Sequence, residues 1–201
     1  MRTDLRHKAV VIPRLNMTNN KNNQYIVVED AKYKELTFVV GGCKKYENIK
    51  HCAVRELMEE TRGVLKVNED NLIYSKPLSF ESSYRSPAEL KQDQREKVIV
   101  VMMYNVYFVD LNINDEQFRE MKILFSTRKY QSDQETSGIF MMTKPTLDKE
   151  RVWHLMRDNI LLYLEVNNVR RRNNVRRWTK TILPPRVRYA QSPHMRSAGK
   201  W

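Results

Sequence analysis

In the segment GGCKKYENIKHCAVRELMEETRGVL, residues 41–65, Arg55, Glu56, Glu59 and Glu60 fall close together, with Glu47 upstream. Carboxylates stacked at i, i+4 on a helix repel one another at a cost of roughly 0.2–0.5 kcal/mol per pair. A solvated helix face tolerates that cost, whereas a hard divalent cation reverses it. Mg2+ or Mn2+ takes oxygen ligands and commonly uses one or two carboxylates together with substrate phosphates. Glu56 and Glu60 stand one turn apart and can reach one metal centre, with Glu59 displaced to the side. Arg55 can hold Glu59 or Glu47 in one rotamer through a forked hydrogen bond.

The elements around this cluster have to present it. KAVVIPRL and QYIVVED are β-rich runs separated by the polar NMTNNKNN, a pattern that predicts a hairpin. ELTFVV predicts a third short strand that runs into Gly41-Gly42. Helical periodicity follows from about 47 to 62, with Ala53, Val54, Leu57, Met58 and Thr61 on one side and the glutamates on the other. Gly63 stands where such a helix would stop. Beyond it, NLIYSKPLSF reads as one more strand and YRSPAELKQDQREK as a polar loop with one helical turn after Pro87. KVIVVMMYNVYFVDL reads as a central strand and 115–130 as a helix, with Phe118, Met121 and Phe125 at helical spacing. SGIFMMT reads as a short strand, and 146–168 as a last helix with a stripe of Trp153, Met156, Ile160 and Leu164. The order predicts an α+β sandwich.

Composition narrows the class of protein. No apolar run is long enough to span a membrane, and MRTDLRHKAVVIP lacks the character of a secretory signal. Cys43 and Cys52 lack metal-ligand spacing and read as free thiols of a reducing, cytoplasmic compartment. The net charge of +12 is unevenly placed: residues 166–201 hold ten Lys/Arg and no Asp or Glu. Such a basic pole suits a polyanionic partner, or a nuclear address. NNVRRRNNVRRWTK supplies Arg170, Arg171, Arg172, Arg176, Arg177 and Lys180 for phosphates and Trp178 for stacking, the combination that single-stranded nucleic acid requires. The division expected is a body over 1–168 and a basic extension over 169–201.

Gly41, Glu47 and Arg55-Glu56-Leu57-Met58-Glu59-Glu60, followed by a glycine and an aliphatic residue, resemble the Nudix box of the Nudix hydrolases. The resemblance implies an α/β/α sandwich with a mixed central sheet, here carrying a helical, basic C-terminal extension. It implies hydrolysis of a nucleoside diphosphate linked to another moiety, dependent on Mg2+ or Mn2+. By motif position Glu56 and Glu60 would be metal ligands and Glu59 a ligand or water-activating group. Arg55 would orient them, Gly41 would add a carbonyl ligand and Glu47 would be a supporting acid. Glu135, shortly before the SGIFMMT strand, corresponds to an extra carboxylate that the family draws from outside the box, as ligand or general base; Glu81 and Glu96 are further contenders. Two departures stand out. Thr61 and Arg62 both intervene before Gly63 where the family usually has one residue, and Gly42 competes with Gly41 as the first position.

The size, pattern and basic end are also similar to viral Nudix proteins of the baculovirus ADP-ribose pyrophosphatase type, which implies host-cell cytoplasm as the location. Two substrates share the chemistry: capped mRNA, cut in its cap phosphate bridge to release methylguanosine diphosphate, and ADP-ribose. The basic end favours the first. Aromatic side chains suited to a methylated, cationic guanine are Tyr33, Phe38, Phe80 and Tyr84. Pro77 lies near the place where ADP-ribose enzymes of the family carry a proline. A Nudix-like RNA-binding module without catalysis is the third reading, and the intact glutamates argue against it.

Overall fold

β-Branched and aromatic residues dominate the two longest strands, and these form the spine of the molecule. The computed structural model describes residues 2–15, 23–84, 87–96, 98–128 and 135–164. Strand β1 (Arg2–Leu15) lies parallel to β7 (Val98–Leu111) along its whole length, from Arg2 opposite Val98 to Leu15 opposite Leu111. Strand β2 (Gln24–Asp30) meets the end of β1 as the expected hairpin, and β8 (Thr136–Thr143) is antiparallel to β2. The third run divides into β3 (Leu36–Thr37), paired with β2, and β4 (Val39–Gly42), antiparallel to β1 with Lys8 opposite Gly42. Phe38 marks the division, its N–H directed at Met156 Sδ (3.2 Å). Strands β5 (Ile73–Tyr74) and β6 (Phe80–Ser82) line β7 and complete a mixed sheet of eight strands among the described residues.

Alternation along β1 divides the core into two layers. Val10 and Ile12 face one side, packing with Phe38, Val106, Met156 and Ile160. Ala9 and Val11 face the other, packing with Ala53 and Leu57 of helix α1 (Ile49–Glu60) and with Phe118 and Phe125 of α3 (Asp115–Thr127). Helices therefore cover both faces of a mixed sheet, the expected α/β/α arrangement.

Several local expectations are corrected. NLIYSKPLSF is two short strands separated by a 3-10 turn at Lys76–Leu78, where Pro77 offers no N–H to a ladder. The supposed loop after Tyr84 contains a full helix, α2 (Pro87–Glu96), which begins with proline at a position that tolerates its missing donor. The last helical region is interrupted. Helix α4 (Lys144–Leu147) ends early, Val152 bridges to Leu36, and α5 (His154–Met156) runs into a π-helical turn, Arg157–Leu161. The edge of β3 explains the break: Leu36 N–H donates to Arg151 O (2.8 Å) and Trp153 N–H to Leu36 O (3.0 Å), so these groups pair with a strand instead of a helix.

The reading of Cys43 and Cys52 as free thiols is also corrected. They form a disulfide. Cys43 follows β4, Cys52 faces inward from α1, and their Cα atoms are 5.2 Å apart, inside the span that a disulfide bridges. No helix among the described residues is long and apolar enough to cross a membrane.

Because Leu57 is fully buried between α1 and the sheet, Leu57→Ala should cost about 2–5 kcal/mol, measured as a lowered urea midpoint with an unchanged slope.

Candidate active site

Asn48 caps the start of α1, its Oδ1 accepting from Lys50 N–H (2.8 Å). At the other end Gly63, in the left-handed region (φ 68°), donates its N–H to Met58 O (2.7 Å) and stops the helix. Between these ends the buried residues are Cys52, Ala53, Glu56 and Leu57, while Met58 is exposed. The inward face is thus rotated from the one that periodicity suggests, and Glu56 belongs to it. Gly41 makes the room. A Cβ at position 41 would fall on the Glu56 carboxyl group, whereas one at Gly42 would meet nothing.

Arg55 organises the acids. Its Nε donates to Glu47 Oε1 (2.8 Å) and its Nη2 to Glu47 Oε2 (2.9 Å) and Gly42 O (2.9 Å). Its Nη1 donates to Glu56 Oε1 (2.7 Å) and Glu59 Oε2 (2.8 Å). These bonds match the five N–H groups of a guanidinium. The expectation that Arg55 holds Glu59 or Glu47 understated its reach, since it holds both and Glu56 as well. Lys44 N–H adds a bond to Glu47 Oε2 (2.8 Å). The Arg55 bonds, with that backbone donor, bring the Glu47 carboxyl down to about 2, and burial opposes them only in part. The same acids hold Arg55 well above the ordinary guanidinium range.

Glu56 and Glu60 differ from Glu47. Burial pushes Glu56 up against the opposing pull of Arg55. Glu60 is pushed up to about 8, first by burial, then by the charge of Glu135, with Glu56, a hydrogen bond to Glu135 and Glu59 adding. Glu135, a loop acid in the sequence, therefore stands against Glu60 and within electrostatic reach of Glu56. Glu81 lies on β6 opposite Met103, and Glu96 ends α2. Arg170, Arg171, Arg172, Arg176, Arg177, Trp178 and Lys180 lie outside the described residues.

Sequence reasoning missed what holds Glu135 in place. Arg62, one of the two residues that stand before Gly63, adopts φ 52°. It donates to Phe125 O (3.1 Å) and Thr136 O (2.7 Å) and lies 4.2 Å above the Phe125 ring. Thr136 Oγ1 donates to Glu60 O (2.8 Å), and Ala31 N–H to Glu135 O (2.8 Å). The irregular spacing of the box end was the one available signal.

The donor set fits a hard cation. Glu56, Glu59, Glu60 and Glu135 offer oxygens only, and their mutual repulsion is relieved by a proton or a metal ion. Cys43, Glu47 and Cys52 also cluster, with ligand atoms within 4.8 Å. Their sulfurs are joined to each other and both Glu47 oxygens accept from Arg55, so that group does not offer a metal seat.

A mixed sheet covered on both faces, with an arginine-ordered glutamate helix opening from a Gly-Gly strand end, gathers Glu56, Glu59, Glu60 and Glu135 into one acid cluster. The NUDIX domain model matches residues 5–140, and the chain belongs to that family. Among solved structures, a protein described as a NUDIX hydrolase from Listeria monocytogenes is similar with a TM-score of 0.51 at 20% identity, over 84% of this chain and 95% of that one. The MutT protein of Methanosarcina mazei is similar with a TM-score of 0.51 at 9% identity, over 83% and 98%. At these identities the likeness is one of fold. No curated protein sequence matches the chain.

Two expectations follow. Arg62→Ala should lower stability by about 1–3 kcal/mol in urea unfolding, because the Phe125 and Thr136 carbonyls lose their donor. In chelator, the native protein keeps a proton on Glu60 that the unfolded chain gives up near 4.5. The unfolded state then binds fewer protons, so stability falls as pH rises from about 4.5 to about 8. Thermal melts across that range should show the slope, and Glu60→Gln should flatten it.

Proposed function

We propose that the protein hydrolyses a diphosphate linkage in a nucleotide substrate, with the 5′ cap of RNA as the preferred substrate. The observation that supports the chemistry is the division of labour among the acids: Arg55 occupies Glu47 fully, while Glu56, Glu59, Glu60 and Glu135 crowd together. Glu56, Glu59 and Glu60 would hold Mg2+ or Mn2+, with the Gly41 carbonyl as a further ligand, since Gly42 O is taken by Arg55. When bound, such an ion neutralises diphosphate charge and acidifies an attacking water. Arg55 fixes the rotamers of Glu56 and Glu59, so the ligands need little reorganisation. Glu135 or Glu59 would accept the proton of the water.

Capped RNA is favoured over ADP-ribose by the charge distribution. Ten basic residues without an acid in 166–201 suit a long polyanion and are not needed for a small nucleotide. ADP-ribose hydrolysis to AMP and ribose 5-phosphate is the second reading, for which the glutamate cluster alone suffices.

Cap-labelled RNA and ADP-ribose offered to one preparation with Mg2+ or Mn2+ test both readings. Capped RNA should be consumed at lower enzyme concentration. Glu60→Gln should reduce turnover by about 10²-fold or more while leaving RNA affinity intact; normal turnover in that variant would sink the mechanism. Deleting residues 170–201 should weaken capped-RNA cleavage and its salt dependence and spare ADP-ribose.

A further inference from the structure

Strand β4 separates two environments. Gly41 faces the Glu56 carboxyl. Its neighbour Val40 points to the opposite side, into an open cleft of about 200 Å³ that Lys8, Thr37 and Trp153 also line. Among the described residues β4 pairs only with β1, and through Val40 and Gly41 the cleft and the Glu56 carboxyl stand on opposite faces of this one strand. The cleft is held rigidly. The main-chain N–H of Trp153 donates to Leu36 O (3.0 Å), joining the backbone at Trp153 to β3. The turn that closes β2 on β3 carries Asp30, Tyr33 and Glu35 to the cleft wall, tied by Asp30 N–H to Glu35 O (2.9 Å) and Lys34 N–H to Asp30 O (3.0 Å).

The lining is selective. Trp153 and Tyr33 offer aromatic surface, and the Tyr33 face already attracts a cation, Lys32 Nζ, at 4.9 Å. Asp30 accepts from Lys32 N–H (2.8 Å) and Tyr33 N–H (2.6 Å) through Oδ1, which leaves Oδ2 out of those bonds. Glu35 meets Arg151 Nε (3.3 Å) through Oε1 and keeps Oε2 out of that pair. Thr37, also in the lining, has its Oγ1 buried without a hydrogen-bond partner. Lys8, the cation of the lining, has its Nζ over the Tyr104 ring (5.9 Å) and is outnumbered by the two carboxylates. The aromatic faces and acids therefore favour a flat group that is positively charged and presents adjacent N–H donors. Guanine presents N1–H and N2–H on one edge, and alkylation at N7 adds the charge. Adenine is neutral and presents a ring-nitrogen acceptor between its donor and the carboxylates, which they repel.

We propose that this cleft is a binding site for an N7-alkylated guanine, seated against Trp153 and Tyr33 with its donor edge towards Asp30 and Glu35. The proposal rests on the reading of the neighbouring acids as a diphosphate-hydrolysing site and names the head group of its substrate.

The test measures binding by calorimetry on the full chain in chelator, where no turnover competes, with N7-methyl-GDP, GDP and ADP-ribose as probes. The methylated nucleotide should bind about tenfold more tightly than GDP, and ADP-ribose most weakly. Glu35→Gln, at the turn surface, should bring the methyl preference close to unity, and Trp153→Phe should reduce it. Equal affinity for N7-methyl-GDP and GDP overturns the proposal, as does a preference that both variants leave unchanged. Assays of capped RNA with Mg2+ separate the two readings. Methyl-selective binding without cleavage supports the cleft and sinks the reaction; cleavage without methyl selectivity sinks the cleft and leaves the reaction standing.

Discussion

A single guanidinium sets the geometry on which the site depends. Arg55 spends its donors on Glu47, Glu56, Glu59 and the Gly42 carbonyl, joining the helix, the loop before it and the strand end in one network. A planar, permanently charged fork can do this where an ammonium could not, because each N–H direction is fixed relative to the others. The network also sorts the acids electrically. Glu47 is satisfied and ionised, whereas Glu56 is buried and Glu60 half-buried among like charges, and both are raised. A helix that carried these glutamates without Arg55 would hold repelling side chains in many rotamers.

The sheet supplies the frame for that network. The long β1–β7 ladder places helices on both faces, and the antiparallel register of β4 on β1 sets Gly41 beneath α1. Only glycine leaves room for Glu56 there, so a small residue in the strand and a buried acid on the helix are two halves of one contact. The disulfide between Cys43 and Cys52 closes the loop that carries Glu47 and lies beside Arg55, whose Nη2 is 3.9 Å from Cys52 Sγ.

The far end of α1 is joined to the rest of the site by the residue that departs from the family pattern. Arg62 and Thr136 link the last turn of the helix to the start of β8, and Glu135 stands beside Glu60 as a consequence. An acid remote in sequence thereby enters the charge balance of the helix, and Glu60 is raised more by Glu135 than by either glutamate on its own helix.

The sequence by itself determined the class of fold, the position of α1 and the acids that crowd it, because each depends on short-range pattern: strand alternation, helical periodicity, a glycine stop and the spacing of Arg55 from the glutamates. Even there the prediction faltered where a tertiary partner competed with local preference. Val152 and Trp153 left the predicted helix because β3 had an open edge, and Pro77 divided a strand that its apolar neighbours suggested. Only the tertiary structure decided that Glu56 turns inward, that Cys43 and Cys52 are bonded, that Arg62 faces β8, and that Trp153 and Tyr33 share a cleft with Asp30 and Glu35. Those outcomes depend on which backbones lie side by side, and the spacing of residues along a chain does not contain that distance.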